Sequence, residues 1–227
     1  DNTINPTYTP SALDVQNSPI TLTLTANPIE PCAVPLVTTT LVNLVKSPTV
    51  TIASPQPTIC QDATNVLVSG TVVANAASFT WTSTTGTTIS NATSLTPLVT
   101  PSATDISNGY IDVTITAIPN APCGTNVVKT VRIPVQLLPI VNAGASQTLC
   151  EGTVITTADA ITTNVTNINR SKKGGDGTFT TSSTTRVIEY TPGPNEIASG
   201  RVLLTLTADA IAPCVGAVTS NIEHLIV

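Results

Sequence analysis

Apolar and polar residues alternate through Ile111, Val113, Ile115 and Ala117, with Asp112, Thr114 and Thr116 between them. Such a period of two describes a strand with one face on a core and the other in water. The same run stands 91 residues earlier as Ile20, Leu22, Leu24 and Ala26, and 91 residues later as Val202, Leu204, Leu206 and Ala208. Behind each run comes a second one: Leu36, Thr40, Val42 and Leu44; then Val127, Val131, Ile133 and Val135; then Val218, Ile222, His224 and Ile226. Two adjacent strands therefore close each repeat, and Pro35 and Pro134 predict an edge or strand-end position there.

The period extends beyond these strands. Cys32, Cys123 and Cys214 are spaced by 91 residues, as are Pro10, Pro101 and Pro192, while Cys60 and Cys150 are 90 apart. The front half of the repeat is written only twice, as ASPQPTICQDATNVLVSG and as NAGASQTLCEGTVITTADA. About seven short strands in roughly 90 residues, separated by Pro, Gly and Asn turns, predict an all-β chain of tandem immunoglobulin-like β-sandwich repeats. The expected divisions are the C-terminal part of one repeat at 1–47, a complete repeat at 48–138 and another at 139–227. A piece holding only the last strands of a sandwich cannot bury its own face, which predicts that the segment is cut from a longer array.

Composition narrows the function. The chain has 227 residues, 41% hydrophobic and only 9% charged, with a formal net charge of -5. Nothing resembles the basic stripe that displaces phosphate counterions, so nucleic acid is not an expected partner. No apolar run approaches the roughly 20 residues that span a bilayer. The first residues, DNTINPTYTP, lack the features of a secretory leader, and the chain reads as an internal or processed piece. Five cysteines without a CxxC pair or a Cys/His cluster point to disulfides and an oxidising, extracytoplasmic setting rather than to zinc.

Few residues invite chemistry. Asp14, Asp105 and Glu196 recur once per repeat inside PSALD, PSATD and PGPNE, just before a strand. A carboxylate there can accept backbone N–H bonds from a short helical turn, so these acids are read as structural turn acids rather than catalytic or calcium-binding groups. GGDG at 174–177 lacks the ending of a phosphate loop and is read as a hairpin turn. His224, the single histidine, has no nucleophile in a recognisable motif nearby and is read as an ordinary strand residue. Trp81 is expected to pack across the core of the central repeat, because 3% aromatic residues are too few for a sugar-stacking face. No catalytic residue, metal ligand or cofactor is expected.

The cysteines admit two pairings. Within repeats, Cys60 would join Cys123 and Cys150 would join Cys214, leaving Cys32 a partner outside the segment. In immunoglobulin topology, however, the turn before the second strand and the turn after the sixth lie a strand length apart, roughly 20 Å. A disulfide needs Cα atoms within about 7 Å. In an end-to-end array the bottom of one repeat meets the top of the next, and Cys60 could then join Cys214 across the junction. On that pattern Cys32 and Cys123 would bond to the repeat before and Cys150 to the repeat after, and both patterns leave an odd number of cysteines within the segment.

VNAGASQTLCEGTVITTADA, GGDGTF, YTPGPNEIASG and VLLTLTADAIAPC together carry a resemblance. They are similar to the Ig-like or PKD-like repeats of very long secreted surface proteins of Bacteroidetes, including SprB-like gliding adhesins exported by the type IX pathway. The resemblance covers the whole chain and implies a non-enzymatic, extracellular segment of a cell-surface filament or adhesin. Its implied partners are neighbouring repeats of the same chain and, beyond them, surface glycans or other cell-surface proteins. Two departures stand out: the central copy has STTG where the last has GGDG, and the last has Arg170 or Ser171 near the position of Trp81. A second functional class is an accessory carbohydrate-binding or spacer module of a secreted polysaccharide-degrading enzyme, which would show an exposed aromatic cluster.

Overall fold

A computed structural model describes residues 5–227. Its elements follow the repeat. In the middle of the chain, strand Tyr110–Pro119 pairs antiparallel with Val127–Gln136 on one side and Ala76–Thr82 on the other. The short strand Ile59–Cys60 runs parallel to the far edge of Val127–Gln136 and completes a four-stranded sheet. The opposing layer is Val66–Leu67, Leu98–Thr100 and Thr88–Ser90, with Thr49–Thr51 paired to Val72–Ala74. The opening strand thus divides between the two sheets, and the prolines of Ser54–Pro57 occupy the break, where no ladder bond is needed.

The last part of the chain repeats this plan. Arg201–Ala210 lies between Ala217–Ile226 and Val165–Lys172, and Thr148–Leu149 runs parallel to Ala217–Ile226. Ile155–Thr156, Glu189–Thr191 and Thr178–Phe179 form the facing layer, with Ile140–Asn142 paired to Ile161–Thr163. The fold is an immunoglobulin-like β-sandwich, built twice.

Alternation does the sorting. Ile111, Val113, Ile115 and Ala117 are wholly buried, and Trp81, cross-strand from Ile115, packs with them at 2% exposure. Val202, Leu204 and Leu206 occupy the same places in a second core with Ile155, Ile188 and Tyr190. Each such aliphatic side chain contributes about 1.5–3 kcal/mol by leaving water. Ahead of these cores, Ile20–Ala26 and Leu36–Val42 form a hairpin that pairs with no other strand among the described residues. Leu24, in the register of the buried Ile115, is 65% exposed, because no second sheet lies over it.

A short helix precedes each long strand: α1 (Ala12–Gln16), α2 (Ala103–Asn108) and α3 (Pro194–Ser199). Gly109 and Gly200 end α2 and α3 at φ of 75° and 71°, left-handed values that a residue with a Cβ adopts only at a cost.

Candidate functional site

The segment between the sandwiches is short. Val127–Gln136 ends, Leu137 and Leu138 follow, and Ile140 begins the next ladder. Gln61 fastens the end of the first sandwich: its N–H donates to the Gln136 carbonyl at 2.8 Å, and its side-chain oxygen accepts from Leu138 N–H at 2.9 Å. From the other side Asn164, held at φ 56°, donates its amide to the Leu138 carbonyl at 3.2 Å.

A covalent bond crosses this junction. Cys60 lies beside Gln136 on the edge strand of one sandwich, and Cys214 lies in the turn joining the last two strands of the other. They form a disulfide with Cα atoms 4.8 Å apart, across 154 residues of sequence. In the chain-entropy description a loop of that length contributes about 5 kcal/mol. The within-repeat pairs Cys60–Cys123 and Cys150–Cys214 are therefore not formed: Cys32, Cys123 and Cys150 are free thiols. The physical reason is the separation of the two cysteine positions at opposite ends of one sandwich, which end-to-end stacking converts into proximity across the junction.

The three acids all occupy the third position of their helices. Asp14 accepts from Ser11 N–H at 2.8 Å, Ser11 O–H at 2.7 Å and Tyr8 O–H at 2.6 Å. Tyr8, followed by Ser11, holds the Asp14 carboxyl below its ordinary value. Asp105 is fully buried and accepts from Ser102 N–H, Ser102 O–H, Thr85 O–H and Thr87 O–H at 2.5–2.8 Å. Burial pushes its pKa up, but hydrogen bonds from Thr85, Thr87 and Ser102 outweigh that and hold it below the usual carboxylate range. Glu196 accepts from Gly193 N–H at 3.0 Å, Gly177 N–H at 3.1 Å and Tyr190 O–H at 2.8 Å. Burial, with Glu196 second, raises the Tyr190 hydroxyl.

This geometry gives GGDG a purpose. It does not make a hairpin: Val165–Lys172 and Thr178–Phe179, on its two sides, belong to different sheets. A Cβ at Gly175 or Gly177 would collide with the Glu196 carboxylate, so glycines let the loop close over it. Gly193 has no side chain to cap α3, and Asp176 takes that role by accepting from Asn195 N–H at 3.1 Å and Glu196 N–H at 3.4 Å. The central copy instead couples a shorter acid to the hydroxyls of its STTG-Thr loop and to a Ser102 cap. The difference between the loops is a matched exchange of donors.

A second exchange lies in the core. Arg170 pairs with Leu206 as Trp81 pairs with Ile115, and both backbone N–H groups donate to the following loop, to Ser183 and Ala92 respectively. Arg170 is 2% exposed and donates to the carbonyls of Ala143 and Arg186 and to the Thr157 hydroxyl. Burial lowers it to about 10, which leaves it charged at neutral pH. His224 occupies the place of Ile133 and is fully buried, with neither ring nitrogen hydrogen-bonded among the described residues. Burial lowers its pKa, Asp159 opposes and Arg170 reinforces the effect. It is a core residue on an inward-facing position. Among the described residues, no group of three or more His, Cys, Asp or Glu side chains is placed to hold a metal ion, and no helix is long and apolar enough to cross a membrane.

Fold and junction together define a class, tandem immunoglobulin-like sandwiches tied by a covalent clasp. No family model matches the chain, and no curated protein matches it. Among solved structures it is similar to the extracellular domain of protocadherin GammaB4, with a TM-score of 0.54 at 12% identity, over 94% of this chain and 39% of that one. It is also similar to the EC1-3 structure of mouse clustered PcdhgC3, with a TM-score of 0.52 at 11% identity, over 94% and 80%. Identities this low establish the fold alone.

Proposed function

We propose that this chain is a non-enzymatic segment of an extracellular surface filament or adhesin, in which repeats divided at 1–47, 48–138 and 139–227 supply length and resist load. The observation that carries this reading is the Cys60–Cys214 clasp, which ties two sandwiches end to end and reduces their freedom to swivel or separate. In a quasi-linear array each repeat touches only its neighbours, so such junctions set stiffness. The bond belongs in an oxidising compartment. The phrases shared with large secreted Bacteroidetes surface proteins support a place in attachment or gliding, with export by the type IX route.

The test is a non-reducing peptide map of the oxidised chain together with electron microscopy of the longer protein. Trypsin leaves Cys60 and Cys123 on one peptide, 47–129, so a second cut at Asp62 or Asp105 is needed. The expected product joins the Cys60 fragment to the peptide containing Cys214, and the particles are rods. A fragment joining Cys60 to Cys123, or compact particles, overturns the reading.

A further inference from the structure

The clasp has two open counterparts. Gln61 N–H donates to the Gln136 carbonyl beside Cys60, and in the next sandwich Glu151 N–H donates to the Val227 carbonyl beside Cys150, at 3.1 Å. The strand before Cys150, Thr148–Leu149, runs parallel to Ala217–Ile226 as Ile59–Cys60 runs parallel to Val127–Gln136. Cys150 therefore occupies the clasp position of Cys60, and it is exposed.

The opposite half is duplicated as well. The Cys214 sulfur sits 3.3 Å from the Gln136 carbonyl oxygen, across the junction and next to its disulfide partner. The Cys123 sulfur sits 3.6 Å from the Val45 carbonyl oxygen. Val45 precedes Gln136 by the same 91 residues that separate Cys123 from Cys214. Cys123 is thus already docked against the end of the unit ahead of it, at the point where a thiol in the Cys60 position would lie.

We infer that Cys123 and Cys150 are the open halves of two more clasps of the Cys60–Cys214 kind. Cys123 takes a cysteine on the opening edge strand of a sandwich stacked before it, and Cys150 takes a cysteine in the last turn of a sandwich stacked after it. Each clasp forms by loss of two thiol protons and two electrons to a disulfide-forming oxidant, the same chemistry that closes Cys60–Cys214. The inference rests on the tandem-array reading and adds that the clasps overlap. Cys150 lies inside the loop closed by Cys60–Cys214, so successive clasps interlock.

Two extensions of the intact chain test it. The first adds a second copy of residues 137–227 after Val227, which supplies a complete sandwich carrying a new Cys214. The second adds residues 48–91 before residue 1, which completes the partial repeat at 1–47 and places a new Cys60 91 residues ahead of the old one. Free thiols are alkylated, and disulfide-linked peptides are mapped beside the 227-residue chain. The expected result is Cys150 joined to the added Cys214 and Cys123 joined to the added Cys60, with Cys60–Cys214 intact throughout. Cys150 fully alkylated in the first extension, or the added Cys60 joined to Cys32 in the second, overturns the inference while leaving the junction itself standing. Absence of Cys60–Cys214 from the unextended chain is a different result, and it defeats the tandem-array reading.

Discussion

Pulling the oxidised chain by its ends measures the clasp directly. The perturbation is reduction, or Cys60→Ser, and the readout is contour length released in single-molecule force spectroscopy with tethers at Asn5 and Val227. With the bond closed, load enters at Asn5, crosses from Cys60 to Cys214 and leaves at Val227, bypassing 154 residues of sequence. Only the 55 steps from Asn5 to Cys60 and the 13 from Cys214 to Val227 can extend. At about 3.3–3.6 Å per residue these give roughly 220–250 Å. After reduction all 222 steps extend, to about 730–800 Å. The difference, about 510–550 Å, is too large to confuse with the unfolding of one hairpin. Cys60→Ser should match the reduced chain and raise the count of reactive thiols from three to four, whereas Cys123→Ser should leave the bypass unchanged. Full extension of the oxidised wild-type chain without reduction would refute the clasp as the load path.

Three further outcomes follow from the interiors. Trp81→Ala, followed by circular dichroism because the variant lacks the fluorophore, should cost the central sandwich about 3–5 kcal/mol in denaturant unfolding; Trp81 is the sole tryptophan, so in variants that keep it its fluorescence reports the central sandwich alone. Asp105→Ala strands the Thr85, Thr87 and Ser102 donors and should cost about 2–4 kcal/mol by the same measurement; because the folded state lowers the Asp105 pKa, its contribution is present above the unfolded value near 4 and is lost as pH falls through the folded one. His224 is the opposite case of a base kept neutral: its folded pKa lies below the unfolded value of about 6.5, so the last sandwich should lose stability as pH falls below about 6.5 until the folded pKa is passed, and His224→Ile, the residue found at 133, should remove that dependence in circular dichroism melts from pH 7 to 5 while Trp81 fluorescence stays constant.

What the sequence made legible was whatever depends on period. The strands through Ile111 and Val202 alternate because one face must meet a core, and a step of 91 residues aligns them without a structure. The acids at 14, 105 and 196 are legible because one partner of each is local, the backbone N–H of the residue just before the helix, whereas Thr85, Thr87, Gly177 and Tyr190 are contributed from farther along the chain. Pairing of the cysteines was only half legible: sequence position left two connectivities, and the ends of the sandwiches decide between them. The substitutions inside the last sandwich were not legible, since each is defined by a distant partner. Asp176 replaces a missing serine hydroxyl at the cap of α3 from a loop 19 and 20 residues away. Arg170 replaces Trp81 at a step of 89 residues rather than 91, because the front of the last repeat is two residues shorter: Cys60 and Cys150 are 90 apart, and the strands Val72–Ala74 and Ile161–Thr163 are 89 apart. That slip leaves Arg170 and Ser171 equivalent in sequence, and the cross-strand partner, Leu206, singles out Arg170.

Interlocking clasps change how an array of these repeats would meet force. If Cys123 and Cys150 close as Cys60 and Cys214 do, load arriving at Cys123 runs along the chain only as far as Cys150 before crossing the next bond. That stretch is 27 residues and contains the strand Val127–Gln136 and the junction Leu137–Leu138. Fully extended it spans about 90–97 Å, and the bond that follows skips another 155 residues, one more than Cys60–Cys214 because Cys150 follows Cys60 by 90 residues rather than 91. Without the clasps the same two repeats, 182 residues, would extend to about 600–655 Å. An oxidised array therefore has roughly one seventh of the reach of a reduced one. Two 10-residue strands laid end to end already occupy about 66 Å, so the extended 27-residue stretch exceeds the folded length by only a modest factor. Such an array yields little even when its sandwiches are forced open, and they refold inside closed loops. On this reasoning the burial of ordinary side chains keeps each repeat folded at rest, and the cysteines set how far it can be drawn out.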